Sequence, residues 1–511
     1  MKAQGKRGLC ICLALLTALL SSCSRVSSGN GTVPAAPTLP PAADLFTAPV
    51  DDSGLMDQTR VNIYLPSRDG QKLLAHQETV AMRRVSGSER ALVQALLDSE
   101  GDGATRSIGG LKLHGVAPVE VSGDVCTVDL ASSALALEYD EMYFVGLAIA
   151  STMADVTGIR YVNVLVADQA VSYDVGDNLP AGSVAAHPGE ELPILWDAME
   201  ARRTPLGGDV SKQPLSTTAT LYFPLADGSG FVAEARNLTF SGQTAAILAS
   251  GLLMALSAGP QVVTGCVTMP DIPSLMTLQP TVSQATEGGK IITLYFREDL
   301  QELLEAQGIS YPDFIACINW TLCTFIPSVT GVRFFTGSTM LTALYGETYG
   351  MISITDGVTR RRFFAAGLRD QDEILLCRGD RLTYVGRSMP ADHAGNPRTL
   401  LEIMFRGATE EETAQGLRSS LPEGMTDEDI IGIGVENGTL LVNLSGGFAD
   451  AVSRLDESGQ RLCCYAIVNT LCDTLHVNRV RFYWDGEVRE YLGTSFYWAG
   501  EFMRNHALMD P

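Results

Sequence analysis

Residues 465–486 read YAIVNTLCDTLHVNRVRFYWDG. An apolar run with Thr470 near its end gives way, across a short polar turn, to a strand-like stretch that stops at Asp485-Gly486. Helix, turn and strand are expected in that order. Two divergent copies lie upstream: GLAIASTMADVTGIRYVNVLV at 146–166 and IACINWTLCTFIPSVTGVRFF at 315–335. Thr152, Thr321 and Thr470 mark a common register, each followed by Met or Leu. Ile159 and Val162 align with Val477 and Val480, and one extra turn residue in the middle copy places Val329 and Val332 there. Each threonine sits where an apolar helix nears its end, so its hydroxyl is expected to bond back to a carbonyl one turn earlier.

Outward from this marker, each copy has an alternating strand: DVCTVDL at 124–130, KIITLYF at 290–296 and GTLLVNL at 438–444. Before that strand comes an amphipathic helix, starting near Ser88, Gly242 and Asn396. Ser88 and Asn396 are suited to cap theirs, with Pro397 in the first helical position. At the head of each copy stands a strand and turn, marked by Asp69-Gly70, Asp227-Gly228 and Gly379-Asp380. Each unit therefore reads strand, strand, helix, strand, helix, strand. The fold class is α+β: tandem small two-layer sandwiches, each with two helices on a mostly antiparallel sheet. The expected units are 59–175, 215–345 and 370–490. A proline-bearing connector covers 176–214 and an aromatic tail covers 491–511, placed to pack back on the third unit. The stretch 275–290 reads as an insertion in the second unit.

The N-terminus has its own logic. Lys2, Lys6 and Arg7 precede the uncharged apolar run Leu9–Leu20, and Leu20-Ser21-Ser22-Cys23 closes it. The run is short for a membrane span and reads as a processed leader. An aliphatic residue three before a cysteine, with small residues between, is what a lipoprotein signal peptidase requires. Residues 1–22 are thus expected to be removed and Cys23 to be lipidated. Cys10 and Cys12 would leave with the leader. Residues 23–58 are rich in Ser, Gly, Pro and Ala, cannot bury enough surface to order, and would tether the folded part by roughly 30–35 Å. The expected location is the extracytoplasmic face of the cell membrane, with the membrane itself as one partner through the lipid.

The net charge is −23. Such an acidic chain is repelled by nucleic acid, and no basic stripe interrupts it. Arg360-Arg361-Arg362 reads as a solvated strand end. Eight cysteines besides Cys23 remain after the leader, without a CxxC pair, and several lie in apolar runs, so buried free thiols are expected. No nucleophile elbow, zincin or phosphate-loop motif occurs. The six histidines, among them His76 and His114, lack metal-ligand spacing, and the latter two read as surface residues. DVGDN at 174–178 and TDEDI at 426–430 lack the ligand alternation of a calcium loop; the latter suits a helix start with Thr426 as cap. Glu410, Glu411 and Glu412 read as a solvated helix face, Trp320 as packing, and Tyr483 with Trp484 as either an exposed edge or cover for the local core. No catalytic, cofactor-binding or metal residue is assigned, although a spatial pair of carboxylates is not readable from sequence.

The ordered segments LYFPLADGSGFVAEARNL at 221–238, LSAGP at 256–260, GTLLVNLSGGF at 438–448 and IVNTLCDTLHVNRVRFYWDG at 467–486 resemble the GerMN domain of sporulation and spore-germination lipoproteins. The resemblance covers most of 59–490 and is strongest in the third copy; the family usually carries two copies, not three. It implies a fold like the ring-building modules of envelope channels, no catalytic residues, and a role in assembling an envelope complex. Three functions remain to be weighed: a lipid-anchored scaffold that self-associates or meets envelope partners, a peptidoglycan- or ligand-binding lipoprotein, and an enzyme.

Overall fold

The computed structural model describes residues 56–83, 88–115, 117–172, 182–187, 210–286, 288–391, 396–436, 439–475 and 477–510. The leader, Cys23, most of the expected tether and the DVGDN stretch lie outside them.

Strands β1 (Met56–Pro66) and β2 (Leu73–Arg83) form an antiparallel hairpin. Helix α1 (Ser88–Asp98) buries Leu92, Val93, Leu96 and Leu97, whose three- and four-residue spacing puts them on one face. Next, β3 (Val119–Ser122) and β4 (Val125–Leu130) pair antiparallel. Helix α2 (Tyr139–Val156) crosses over, so β5 (Tyr161–Val166) lies parallel to β4, as a crossover of this length permits. β6 (Gln169–Ala170) and β7 (Val184–Ala185) add to β5.

The second unit repeats this order. β8 (Leu215–Pro224) and β9 (Phe231–Phe240) form the hairpin, followed by α3 (Ala245–Ser257) capped by Thr244 and the short α4 (Ile272–Leu275). β10 (Met276–Gln284) pairs antiparallel with β11 (Lys290–Phe296). Helices α5 (Leu300–Ala306) and α6 (Tyr311–Phe325) lead to β12 (Val329–Thr336), parallel to β11, and to β13 (Thr339–Met340). A further hairpin, β14 (Ala343–Gly346) with β15 (Gly350–Ser353), and a 3₁₀ helix (Arg361–Gly367) close it. In the third unit β16 (Arg369–Arg378) and β17 (Arg381–Pro390) make the hairpin, then α7 (Pro397–Arg406), α8 (Glu410–Ala414) and β18 (Leu417–Arg418). β19 (Ile430–Glu436), β20 (Thr439–Leu444), α9 (Gly446–Ser453), α10 (Glu457–Leu475), β21 (Arg479–Trp484) and β22 (Glu501–Phe502) complete the pattern, again with one parallel pair, β20 and β21.

The α+β class and the tandem arrangement hold, with several changes of detail. Each unit carries one more strand than expected, β3, β10 or β19, ahead of its central strand. The stretch 275–290 is therefore not an insertion; most of it is β10 and the turn to β11. The sheet that holds each central strand is mixed, because the crossover helix returns the chain parallel, while the hairpins at the head of each unit are antiparallel. The stretch read as a connector contributes β7 to the first sheet, and Trp498 of the tail is fully buried while β22 joins the third sheet. Residues 343–367, mostly past the expected end of the second unit, pack into its core through Leu344, Ile352, Ile354 and Phe364.

In every unit the crossover helix packs on the first hairpin strand. The marker threonines explain how. The backbone N–H of Tyr64 in β1 donates to Thr152 Oγ1 at 3.0 Å, and that of Tyr222 in β8 donates to Thr321 Oγ1 at 3.2 Å. The hydroxyl thus accepts from the hairpin edge, which would otherwise bury an unpaired donor, rather than serving only its own helix. Thr470 departs from this: its buried Oγ1 makes no hydrogen bond. The two-residue turns after β5 and β21 place Ala167, Asp168, Asp485 and Gly486 at positive φ, as a type I′ hairpin demands.

Candidate interaction surface

The strongest electrostatic feature joins units one and two. Thr359 bridges to Val332 of β12 and receives hydrogen bonds from Asn319 Nδ2, which fixes the start of the 3₁₀ helix against α6. Arg361, its first residue, is only 4 % exposed. Its guanidinium lies 4.1 Å from the Trp320 ring centre, and Trp320 Nε1 donates to the Arg361 carbonyl at 3.0 Å. Arg361 then donates across the junction to Glu120 of β3 at 2.6 Å and to Asp168 at 3.4 Å. Asp168 sits in the β5–β6 turn at a positive φ that aspartate tolerates. Burial pushes both carboxylates above their ordinary range, and the arginine charge opposes that rise. The Arg360–Arg362 run is thus not a solvated strand end: its middle residue is a buried inter-unit tie, because acceptors far away in sequence match its charge.

The third unit docks on the same corner. Ser122 Oγ donates to the Arg369 carbonyl at 2.6 Å and accepts from Ala233 N at 2.9 Å. Gly123 N donates to Asp370 Oδ1 at 2.8 Å. The end of β3 is therefore occupied by the first strand of unit three and the hairpin of unit two. The corresponding edge strands in the other units face outward. β10 is the edge of its sheet, and its nine residues, MTLQPTVSQ, carry no charge. Leu278 is 58 % and Val282 40 % exposed. Beside it, Met254 and Leu253 of α3 with Met276 and Pro280 line a groove of about 420 Å³. β19 is likewise an edge, with Ile431 exposed. An uncharged edge with exposed apolar side chains presents backbone groups and apolar contact to another strand.

The remaining sequence candidates resolve as follows. Tyr483 and Trp484 are not on an exposed edge: both are buried, Trp484 against Phe448, Phe482 and Trp498, because the tail folds over them. Glu412 is not merely solvated; it takes a bidentate pair from Arg387 and closes the capping box with Thr409. Thr426 heads a single 3₁₀ turn, Asp427–Asp429, rather than an α-helix. His76 is half-buried beside Asp102, and His114 is exposed beside Asp129. Among the described residues eight cysteines are free, seven of them buried, and burial raises each of these thiols. Such thiols make poor nucleophiles. Buried or half-buried carboxylates whose pKa burial raises, Glu120, Asp168, Asp313 and Asp370, each accept from a protein donor: Arg361 for the first two, Tyr349 for Asp313 and Gly123 N for Asp370. Among the described residues no group of three His, Cys, Asp or Glu could hold a metal, and no helix is long and apolar enough to cross a membrane. Cys23 lies outside the described residues.

Residues 370–490 match the family described as Germane: Sporulation and spore germination. No curated protein matches the chain. Among solved structures, the tandem GerMN domains of the sporulation protein GerM from Bacillus subtilis are 14 % identical, cover 57 % of this chain and 100 % of their own, and give a TM-score of 0.22. A putative lipoprotein from Clostridium perfringens is 17 % identical over 27 % of this chain and 93 % of its own, with a TM-score of 0.18. The first GerMN domain of the Bacillus subtilis protein is also 17 % identical, over 26 % of this chain and 96 % of its own, with a TM-score of 0.19. The third unit of the chain, residues 370–490, is thus the part that matches the Germane family of sporulation and spore germination, and it follows two units of the same strand and helix order.

Proposed function

We propose that the chain is a non-catalytic lipoprotein of the cell envelope that serves as a scaffold or assembly factor in a sporulation- or germination-related complex. Cys23 carries the lipid and holds the folded units at the extracytoplasmic face of the membrane. The observation that supports scaffolding above all is the edge of β10: long, uncharged and with Leu278 and Val282 exposed, in a chain of net charge −23. Natural edges are normally blunted by charge or proline. Pro280 and the register shifts between Met276 and Thr281 blunt only the first half, which leaves Thr281–Gln284 regular. The occupant is a further unit of this same kind on another chain. Within the molecule, the equivalent strand β3 already ends against a neighbouring unit.

Crosslinking and co-purification from native membranes across growth stages test this reading. The wild type should capture an envelope protein or a second copy of itself, and Leu278→Lys with Val282→Lys should lose that capture while keeping the wild-type circular dichroism. Cys23→Ala should leave the membrane fraction. Equal capture by the lysine variant removes β10 from the argument, and no specific capture at any stage removes the scaffold reading.

A further inference from the structure

A polar cleft of about 460 Å³ opens where the first unit meets the second. Its walls come from the β5–β6 turn, the turn leading into β11, the outer face of β12 and residues 356–362. The charges along it do not cancel locally. Asp356 is held by Arg360 at 2.5 Å, Asp168 by the buried Arg361, and His114 sits on Asp129 at 2.8 Å. Two arginines remain, Arg333 from β12 and Arg362 from the 3₁₀ helix, and neither has a hydrogen-bond or ion-pair partner among the described residues. The Nε of Arg333 is shut off from solvent with no acceptor. Arg333 is only partly buried, so its terminal Nη groups, rather than this enclosed Nε, are the donors an oxyanion would meet. Arg333 cannot turn to the opposite face, since Val332 and Phe334 on either side of it fill the core. The site is thus a concave polar recess with two planar cationic forks that make no hydrogen bond of their own, Arg362 meeting only the longer-range charge of Asp168.

We propose that this cleft binds a small oxyanion-bearing molecule, its phosphate or carboxylate group held between Arg333 and Arg362. The volume falls in the range of small-molecule sites, so the rest of the ligand has room beside Gln169 and Thr286. A site of this kind would make the junction between the first two units ligand-responsive, independently of the edge of β10.

Titration calorimetry on the full chain in detergent tests the proposal, with inorganic phosphate and succinate as separate probes against a sodium chloride background of matched ionic strength. At least one probe should bind saturably, which also distinguishes a phosphoryl from a carboxylate ligand. Arg333→Gln should weaken that binding by about tenfold or more, as loss of a charge-assisted fork predicts. Arg362→Gln, at an exposed position, should weaken it without disturbing the fold, and Arg60→Gln, exposed on β1, should change nothing. Absence of saturable binding by both probes, or equal binding by the Arg362 variant, overturns the proposal. Capture by the β10 edge is read separately, so either idea fails alone.

Discussion

A guanidinium taken out of water costs several kcal/mol unless its charge and its donors are matched. The charge of Arg361 is matched by Glu120 on one side, Asp168 on another and the face of Trp320 beneath, although its Nε finds no acceptor. Arg361→Gln would leave Glu120 buried without its counter-charge. Urea unfolding of this variant should show a loss of about 3 kcal/mol. Arg362→Gln next to it, on an exposed side chain, should stay within about 0.5 kcal/mol of wild type. Equal stabilities for the two variants would mean the pair does not hold the junction. Nothing local in the sequence distinguishes these arginines. Three in a row look solvated, and the carboxylate that answers the middle one lies 241 residues upstream. The same is true of Trp484, whose burial depends on Trp498 in the tail. Residues whose role is set by distant partners are where reading the sequence alone goes astray.

At the level of elements, the crossover helices and the strands that follow them were legible because their apolar spacing is local and repeats three times. β10 was not, since eight of its nine side chains are at least partly exposed and its pattern has no buried alternation to find. The marker threonines were found but read only as donors to their own helix, because the strands that Thr152 and Thr321 accept from lie 88 and 99 residues away. Their corrected role separates the three units experimentally. In Thr321→Val the backbone N–H of Tyr222 stays buried and loses its acceptor, so the variant should lose about 1–2 kcal/mol. Thr470→Val removes a buried hydroxyl that bonds to nothing, so it should be neutral or slightly stabilising. Thermal or urea denaturation of the two variants reads the difference directly. A Thr470 variant as damaging as the Thr321 variant would show that the third helix uses its hydroxyl after all.

On the scale of the whole molecule, the units are not beads on a string. Val125 of the first unit belongs to the core of the second, Arg361 returns from the second to the first, and the β3–β4 turn inserts between the second hairpin and β16 of the third. The described units should therefore unfold in one cooperative transition rather than three. The joint at Asp370 gives that transition a pH signature. Burial pushes its carboxyl from 3.8 up to about 7, despite hydrogen bonds from Gly123 N and Gln371 N that favour the charged form. The folded state therefore holds this proton more tightly than the unfolded chain does. Its contribution is complete below about 3.8 and is lost as pH rises through about 7. Asp370→Asn keeps an oxygen to accept both backbone N–H groups and removes the titration. Between pH 4 and 7.5 the variant should lose less stability than wild type, by about 1 kcal/mol once partial exposure to solvent is allowed for. Glu120, Asp168 and Asp313, raised by burial in the same sense, keep the remaining slope in both proteins. Calorimetric scans across this range measure both claims together. Separate transitions in the wild type would show that the units fold independently, and parallel pH profiles for the two proteins would show that Asp370 titrates as it does in the unfolded chain.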